Sequence, residues 1–162
     1  MIRKAEIKDI RKILEIVNYE IIHSTVLYEY KERSYEFQRE WFDKKTEDGM
    51  PVIVYEDETG IRGFGTYGIF RPWPAYQFSV EHSLYVDKDA RGLGVGGRIL
   101  SELINLAKNS GYHTMIAGID SLNYGSFEFH KKFGFIEVGK LKQVGYKFNT
   151  WLDLHFLQLL LN

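Results

Sequence analysis

The stretch Arg91-Gly92-Leu93-Gly94-Val95-Gly96 decides how the rest of the chain is read. It lies between a strand-like run ending at Leu84-Tyr85-Val86 and an amphipathic segment that carries Ile99, Leu100, Leu103, Ile104 and Ala107 on one stripe. A glycine-rich turn lets successive backbone N–H groups converge on one point, and the helix that follows adds its positive dipole end. The junction is an anion site suited to a pyrophosphate. As written, Gly92 to Gly97 also satisfies G-x-G-x-x-G, the dinucleotide fingerprint. That fingerprint opens a fold of several βα units with an acidic residue about 20 positions downstream. Asp120 is only loosely placed for that role, and the last part of the chain reads as extended strand instead of further βα repeats. A Walker A loop is excluded because neither Gly-Lys-Ser nor Gly-Lys-Thr is present.

Working outward, helical spacing of Ile10, Ile13, Leu14, Val17 and Ile21 predicts a first helix from Asp9, entered from a short strand around Ile2 to Lys4. Ser34 is a plausible N-cap for a second helix that carries Phe37, Trp41 and Phe42 inward and ends near Gly49. Pro51 to Asp57 and Ile61 to Phe70 read as antiparallel partners around the turn Glu58-Thr59-Gly60. Arg71-Pro72-Trp73-Pro74 must be a loop, since its two prolines cannot belong to a central strand. Gln77 to Val86 is the next strand and Thr114 to Ile119 a buried one. Asn123 to Phe133 is a short helix stopped by Gly134, and Phe135 to Gly145 and Lys147 to Leu161 are two long terminal strands. The resulting β-α-α-β-β-β-α-β-α-β-β order predicts an α/β fold, a single mixed, twisted sheet with helices on both faces. In such sheets a ligand lies at the carboxyl ends of strands that splay apart. Here that is the end of the strand finishing at Val86.

The 162 residues are 44% hydrophobic and 27% charged, which fits one domain, 1–162, with a sizeable core. Twenty-one basic and 22 acidic side chains nearly cancel, so net charge favours neither a nucleic-acid nor an acidic-membrane partner. The absence of cysteine removes disulfides, thiolate metal sites and a cysteine nucleophile, and no metal is expected. The beginning Met1-Ile2-Arg3-Lys4-Ala5-Glu6 has no apolar signal region and no run approaches a membrane span, so the expected setting is cytoplasmic. Eleven Tyr and 11 Phe serve either as aromatic walls for a small ligand or as core.

The element order, the Arg-x-x-Gly-x-Gly turn after the fourth strand, and the segment Asn123…Ser126…His130…Gly134-Phe135 together resemble the GNAT superfamily of acetyl-CoA-dependent N-acetyltransferases. The likeness spans nearly the whole chain. It is sharper for the phosphinothricin and methionine sulfoximine acetyltransferase branch. The blocks that carry it are Ser24-Thr25-Val26, Arg71-Pro72-Trp73, Val80-Glu81-His82-Ser83-Leu84-Tyr85-Val86, Ala117-Gly118-Ile119-Asp120, and Val144-Gly145-Tyr146-Lys147-Phe148 with Trp151-Leu152-Asp153.

The resemblance implies that the amides of Gly92, Leu93, Gly94, Val95, Gly96 and Gly97 bind the pyrophosphate of acetyl-CoA. It also implies that the backbone of Leu84, Tyr85 and Val86 pairs with the amides of the pantetheine arm, at an edge opened by splay from the Thr114 to Ile119 strand. Asn123 hydrogen-bonds the cofactor, caps its own helix, or both. Lys132 reaches a phosphate or stands on a solvated helix face. Glu81 matches the family glutamate assigned as general base, directly or through water; by alternation alone it is an outward carboxylate. His130 occupies the place where most members have tyrosine, the same substitution that the phosphinothricin branch carries, and is proton donor to sulfur, relay for the base, or structural. Arg71 suits a substrate carboxylate, Trp73 and Tyr76 wall the pocket beside Pro72, or the loop is a surface β-arch with an exposed arginine, and Glu81, His82 and Ser83 lie where the family contacts its substrate. Thr25 and Val26 are expected to close the pocket.

Two departures stand out. Gly125 replaces an alanine of the family pattern, and Phe148-Asn149-Thr150-Trp151 replaces Phe-Gly-Arg-Trp, removing an arginine that bears on substrate charge. The leading expectation is acetyl transfer to the α-amine of a small amino acid or analogue such as phosphinothricin, methionine sulfoximine or methionine sulfone. The acetyl group moves by direct attack on the thioester, with no covalent acyl-enzyme. The alternatives are a protein N-terminus or polyamine as acceptor, or an acyl-CoA-binding module without turnover. The apolar run Phe156 to Leu161 points to a homodimer, as in the resembled family, or to simple core burial.

Overall fold

The computed structural model describes residues 1–162. Its strands are β1 (Ile2–Lys4), β2 (Val52–Asp57), β3 (Gly60–Ile69), β4 (Ser79–Val86), β5 (Thr114–Asp120), β6 (Ile136–Lys147) and β7 (Thr150–Leu160). Its helices are α1 (Ile10–His23), α2 (Tyr35–Glu47), α3 (Val95–Asn109) and α4 (Tyr124–Lys132). One seven-stranded sheet runs β1-β2-β3-β4-β5-β7-β6. All neighbours are antiparallel except β4 and β5. The mixed sheet, the element order and the helices on both faces are those read from the sequence. No helix is long and apolar enough to cross a membrane.

Alternation along each strand builds two cores. On one face Val80, Ile99, Leu103, Met115, Ala117 and Leu157 form a cluster beneath α3, with Phe129 of α4 and Phe133 just after that helix against it. On the other, Ile10, Ile13, Val17 and Phe42 from α1 and α2 cover Val54 and Phe64. Leu14 is only half-buried. In α2 the Ser34 cap is present, its side chain accepting from the Phe37 amide. The inward face, however, is Gln38 and Phe42 rather than Phe37, which is 51% exposed while Gln38 is fully buried. The reason is helical phase: Phe42 fixes the buried stripe, and Gln38 lies one turn before it. Gln38 accepts there from Arg33 Nη1 at 3.2 Å, while the guanidinium lies over the outward Phe37 ring.

α3 approaches β3 closely because two glycines face it. A Cβ on Gly65 would lie 2.5 Å from Ile99 Cγ2 and 2.9 Å from Leu103 Cδ1, and one on Gly63 2.9 Å from the Tyr85 carbonyl oxygen. Gly65→Ala is therefore expected to cost about 1–3 kcal/mol by overpacking. A urea midpoint unchanged from wild type would show that α3 has slack.

The β6–β7 hairpin turns at Phe148 and Asn149, two residues later than the sequence pattern placed it. Both have positive φ, 51° and 57°, the backbone twist a two-residue hairpin turn needs. β6 also bulges between Leu141 and Gly145, with the Gln143 amide tied to Asp153 Oδ1 at 2.8 Å.

Candidate active site

β4 and β5 run side by side only from Ser79↔Thr114 to Glu81↔Ile116 and then part. Beyond Glu81, residues Leu84, Tyr85 and Val86 pair with β3 alone, opposite Gly65, Phe64 and Gly63. Their other edge faces the gap and has hydrogen-bonding groups free for an extended ligand with amides of its own.

The chain leaves β4 through Asp87, whose carboxylate accepts from the Asp89 amide and pairs with Lys12 Nζ at 2.8 Å. It then reaches the glycine turn. Gly92 and Gly94 both have φ of 78°, a region costly for residues with a Cβ, and space is open where their Cβ atoms would stand. Gly94 caps α3 in the left-handed conformation without a side-chain cap, so the first-turn amides, Val95, Gly96 and Gly97, are presented bare. A Cβ on Gly96 would come within 3.5–3.8 Å of Val86 and Leu84, which puts this turn against the open edge of β4. Leu93 points its side chain to solvent. The C-terminal end of α4 lies beside the turn through Phe133, 3.4 Å from a Cβ built on Gly97, and Lys132 is exposed there. Asn123 caps α4, its Oδ1 accepting from the Ser126 amide at 3.2 Å, which leaves its Nδ2 for a ligand. An anion cradle next to a free strand edge suits a long molecule carrying a pyrophosphate at one end and amides along its arm.

The two faces of β4 at the gap differ in chemistry. Toward α1 and α2 point Glu81, Ser83 and Tyr85. A Cβ on Gly118, in neighbouring β5, would stand 3.0 Å from Glu81 Oε1, so the missing side chain makes the room that the carboxylate occupies. Partial burial pushes the Glu81 carboxyl above its ordinary range, and the Arg71 guanidinium opposes this in part. Arg71 lies over the Phe70 ring at 5.2 Å, and Phe70 meets Tyr76 and Phe156 edge-on. Pro72 and Trp73 are exposed on the loop beyond.

Farther along this face is Asp120, which accepts hydrogen bonds from Thr25 Oγ1 and, at 3.2 Å, from the Tyr28 hydroxyl. Thr25 thus ties the segment after α1 to the end of β5. Tyr28 lies against Gly145, where a Cβ would stand 2.6 Å from its ring. Lys147 holds the same segment from below: its Nζ donates to the carbonyls of Ile21, Ser24 and Leu27 at 2.6, 2.8 and 2.6 Å. Glu20 joins the two regions, accepting from Ser24 Oγ and pairing with Arg91 of the glycine turn. The sequence reading assigned no role to Tyr28 or Lys147. Alternation through Ile116, Gly118 and Asp120 could have placed Asp120 on the Glu81 face. Nothing in the sequence marks Lys147 as other than a solvated strand lysine.

His82 turns to the opposite face, toward α3 and α4, and is not brought together with Arg71, Glu81 or Ser83. Its Nε2 is 3.1 Å from Nε2 of His130, the two rings stacked at 5.0 Å between centroids. His82 is 7% exposed and His130 4%. Burial and the neighbouring ring lower the His82 pKa to about 3, and burial lowers that of His130. Glu81 and His130 therefore stand on opposite sides of β4. The gap is thus flanked by a carboxyl with a raised pKa on one face of β4 and a buried imidazole pair on the other.

A free strand edge, a bare helix N-terminus and a splay flanked by these groups define a transferase that works on a thioester of coenzyme A. Residues 2–156 match the family model described as an acetyltransferase (GNAT) domain. The chain belongs to the GNAT acetyltransferase family and is an acetyl-CoA-dependent N-acetyltransferase. It is similar to the L-amino acid N-acyltransferase MnaT of Escherichia coli (strain K12), 37% identical over 99% of this chain and 94% of that protein. It is 38% identical to the L-methionine sulfoximine/L-methionine sulfone acetyltransferase of Pseudomonas aeruginosa over 98% and 92%. Among solved structures, the N-acetyltransferase from Staphylococcus aureus Mu50 superposes with a TM-score of 0.99 at 46% identity, covering 100% and 98% of the two chains. The phosphinothricin acetyltransferase from Sinorhizobium meliloti in complex with AcCoA gives 0.95 at 34%, covering 99% and 87%.

Proposed function

We propose that residues 1–162 act as one domain that acetylates the α-amine of a small amino acid or analogue of the methionine sulfone, methionine sulfoximine or phosphinothricin type. The observation that carries this reading is Glu81, seated in the space left by Gly118 where β4 and β5 part, with the Arg71 cation acting on it. A free α-amine of pKa about 7.7–8.0 is mostly ammonium near neutrality and cannot attack until a proton is removed. Glu81 is the group that takes this proton, directly or through water. Its raised pKa brings it nearer to that of the amine, which favours proton transfer. Arg71 holds the acceptor's carboxylate by a bidentate contact, with Ser83 on the same face and Pro72 and Trp73 at the mouth.

Acetyl-CoA, when bound, supplies an acetyl group activated as a thioester. The amides of Gly92 to Gly97 hold its pyrophosphate, Leu84 to Val86 ladder with its arm, and Asn123 and Lys132 add polar contacts. His130 faces the leaving sulfur from the other side of β4. Acetyl-CoA and the amine enter from opposite faces, so no covalent enzyme intermediate is required.

The outer edge of β6 has no further strand, and Ile136, Val138, Leu141 and Val144 are exposed along it. We propose that this edge, with Trp151, pairs two copies in a homodimer. The supply of acetyl-CoA makes the cytoplasm the proposed setting.

The test is thiol release from acetyl-CoA with methionine sulfone, methionine sulfoximine, phosphinothricin, an N-terminal-alanine peptide and spermidine. Thr150 stands where the family pattern has arginine, so the neutral sulfone is expected to exceed the anionic phosphinothricin in kcat/KM. The expected margin is roughly ten- to a hundredfold, the worth of one charge-assisted hydrogen bond. Release with the peptide or the polyamine alone would overturn the amino-acid reading.

A further inference from the structure

His82 is buried, titratable and unused by the chemistry above, and its place follows from which atoms can donate. His130 Nδ1 is 2.7 Å from the carbonyl oxygen of Ser126, and 3.3 Å from Ser126 Oγ. A carbonyl oxygen only accepts, so the proton of a neutral His130 is on Nδ1 and its Nε2 presents a lone pair. The Nε2 of His82, 3.1 Å away, must then carry a hydrogen and donate it. That fixes His82 as the Nε2–H tautomer and leaves its Nδ1 as a bare acceptor, which is the atom found buried without a partner. The reverse arrangement would bury an N–H at Nδ1 with nothing to receive it. An orphaned acceptor in the aromatic surroundings of Phe135 is the cheaper defect.

No carboxylate or ammonium faces either ring. β4 contributes His82 itself, α4 contributes Ser126 and Phe129 beside His130, and the segment leading into β6 contributes Phe135, which meets both rings edge-on. Only the Ser126 carbonyl favours a charge on His130, and burial outweighs it.

We propose that His82 is a positioning residue: by donating Nε2–H to Nε2 of His130 it holds His130 as the neutral Nδ1–H tautomer beside the gap between β4 and β5. This rests on the reading of His130 as part of the reaction. In the resting enzyme His130 has no proton to give from Nε2, so it does not act as a standing imidazolium.

The test reads tautomers first and rates second. Long-range nitrogen–proton NMR of the wild-type protein is expected to show His130 protonated at Nδ1 and His82 at Nε2, with His130 titrating below the usual imidazole range because it is buried and His82 down to about pH 3. In His82→Phe the His130 neutral form loses the donor that stabilises it. Its pKa rises, and the acidic limb of the kcat profile moves up with it. kcat near pH 6.5 falls roughly tenfold, less than the loss of a full acid–base group. The KM for acetyl-CoA stays the same. His82→Gln, whose amide donates from nearly the place of Nε2, restores both tautomer and profile. A wild-type His130 carrying its proton on Nε2 would overturn the inference, as would a His130 whose tautomer and titration are indifferent to His82→Phe. If His82→Phe does not fold, the wild-type tautomers and the Gln variant still decide. Full activity of His130→Phe would instead sink the role of His130 in the reaction, a different failure, because the tautomer pattern would stand.

Discussion

Glu81→Gln is expected to lower kcat by on the order of 10²–10⁴-fold, the range a positioned base supplies, with a much smaller change in the KM for acetyl-CoA. The change keeps size and shape beside Gly118 and removes only the ability to take a proton. On that reading, wild-type activity is expected to rise with pH as Glu81 ionises, with the inflection above the ordinary carboxylate range because burial opposes the charge. That inflection should vanish in the variant, leaving only the limb set by the amine. The same burial gives a second, opposite effect. A carboxyl whose folded-state pKa is raised binds more protons folded than unfolded, so its contribution to stability is full below the unfolded value and is lost as pH rises through the folded one. Glutamine carries no such penalty. Glu81→Gln should therefore melt higher than wild type at pH 8, with the difference closing in acid. A variant that is slower but melts equally at both pH values would show the carboxylate to be better solvated than its surroundings indicate.

Lys147→Met is expected to cost roughly 2–4 kcal/mol, since a 3% exposed ammonium makes three short hydrogen bonds and its removal strands three carbonyls. Methionine keeps the aliphatic stem, so little of the loss comes from packing. The effect extends beyond stability. The carbonyls belong to Ile21, Ser24 and Leu27, the segment that carries Thr25 and Tyr28 to Asp120 on the Glu81 face. Loosening it should raise the KM for the amine several-fold while the KM for acetyl-CoA, proposed to bind at the β4 edge and the glycine turn, holds. Denaturant unfolding checks the first part and two-substrate kinetics the second. Equal rises in both KM values would mean that the segment also braces the cofactor side, for which the Glu20–Arg91 pair is the available route.

The order of elements was legible because periodicity and turn residues are local: the stripe from Ile99 to Ala107, the prolines at 72 and 74, the glycines from 92 to 97. The phase of α2 was not, because Phe37 is as apolar as Phe42 and only tertiary contact decides which one turns inward. Within the site, the residues that follow one another in sequence were easy to group and harder to orient. Glu81, His82 and Ser83 are consecutive, yet a strand's period of two sends His82 away from the other two, to a partner 48 positions later. Lys147 illustrates the limit of pattern reading. A lysine on an alternating strand is ordinarily solvated, and only the return of the chain over the end of α1 gives it three carbonyls to hold.

The parting of β4 from β5 has a mechanical consequence. Three residue pairs join a four-stranded plate, β1 to β4, to a three-stranded plate, β5, β7 and β6. Across that seam the backbone ladder is short, and a ligand lying in the gap supplies the missing rungs. Occupancy is then linked to cooperativity: with the gap filled, the plates share one stability by mass action, and with it open each can fluctuate more nearly on its own. Amide exchange should register this in β5 and β7, strands that touch no pyrophosphate and no glycine turn, as a slowing that follows the concentration of acetyl-CoA.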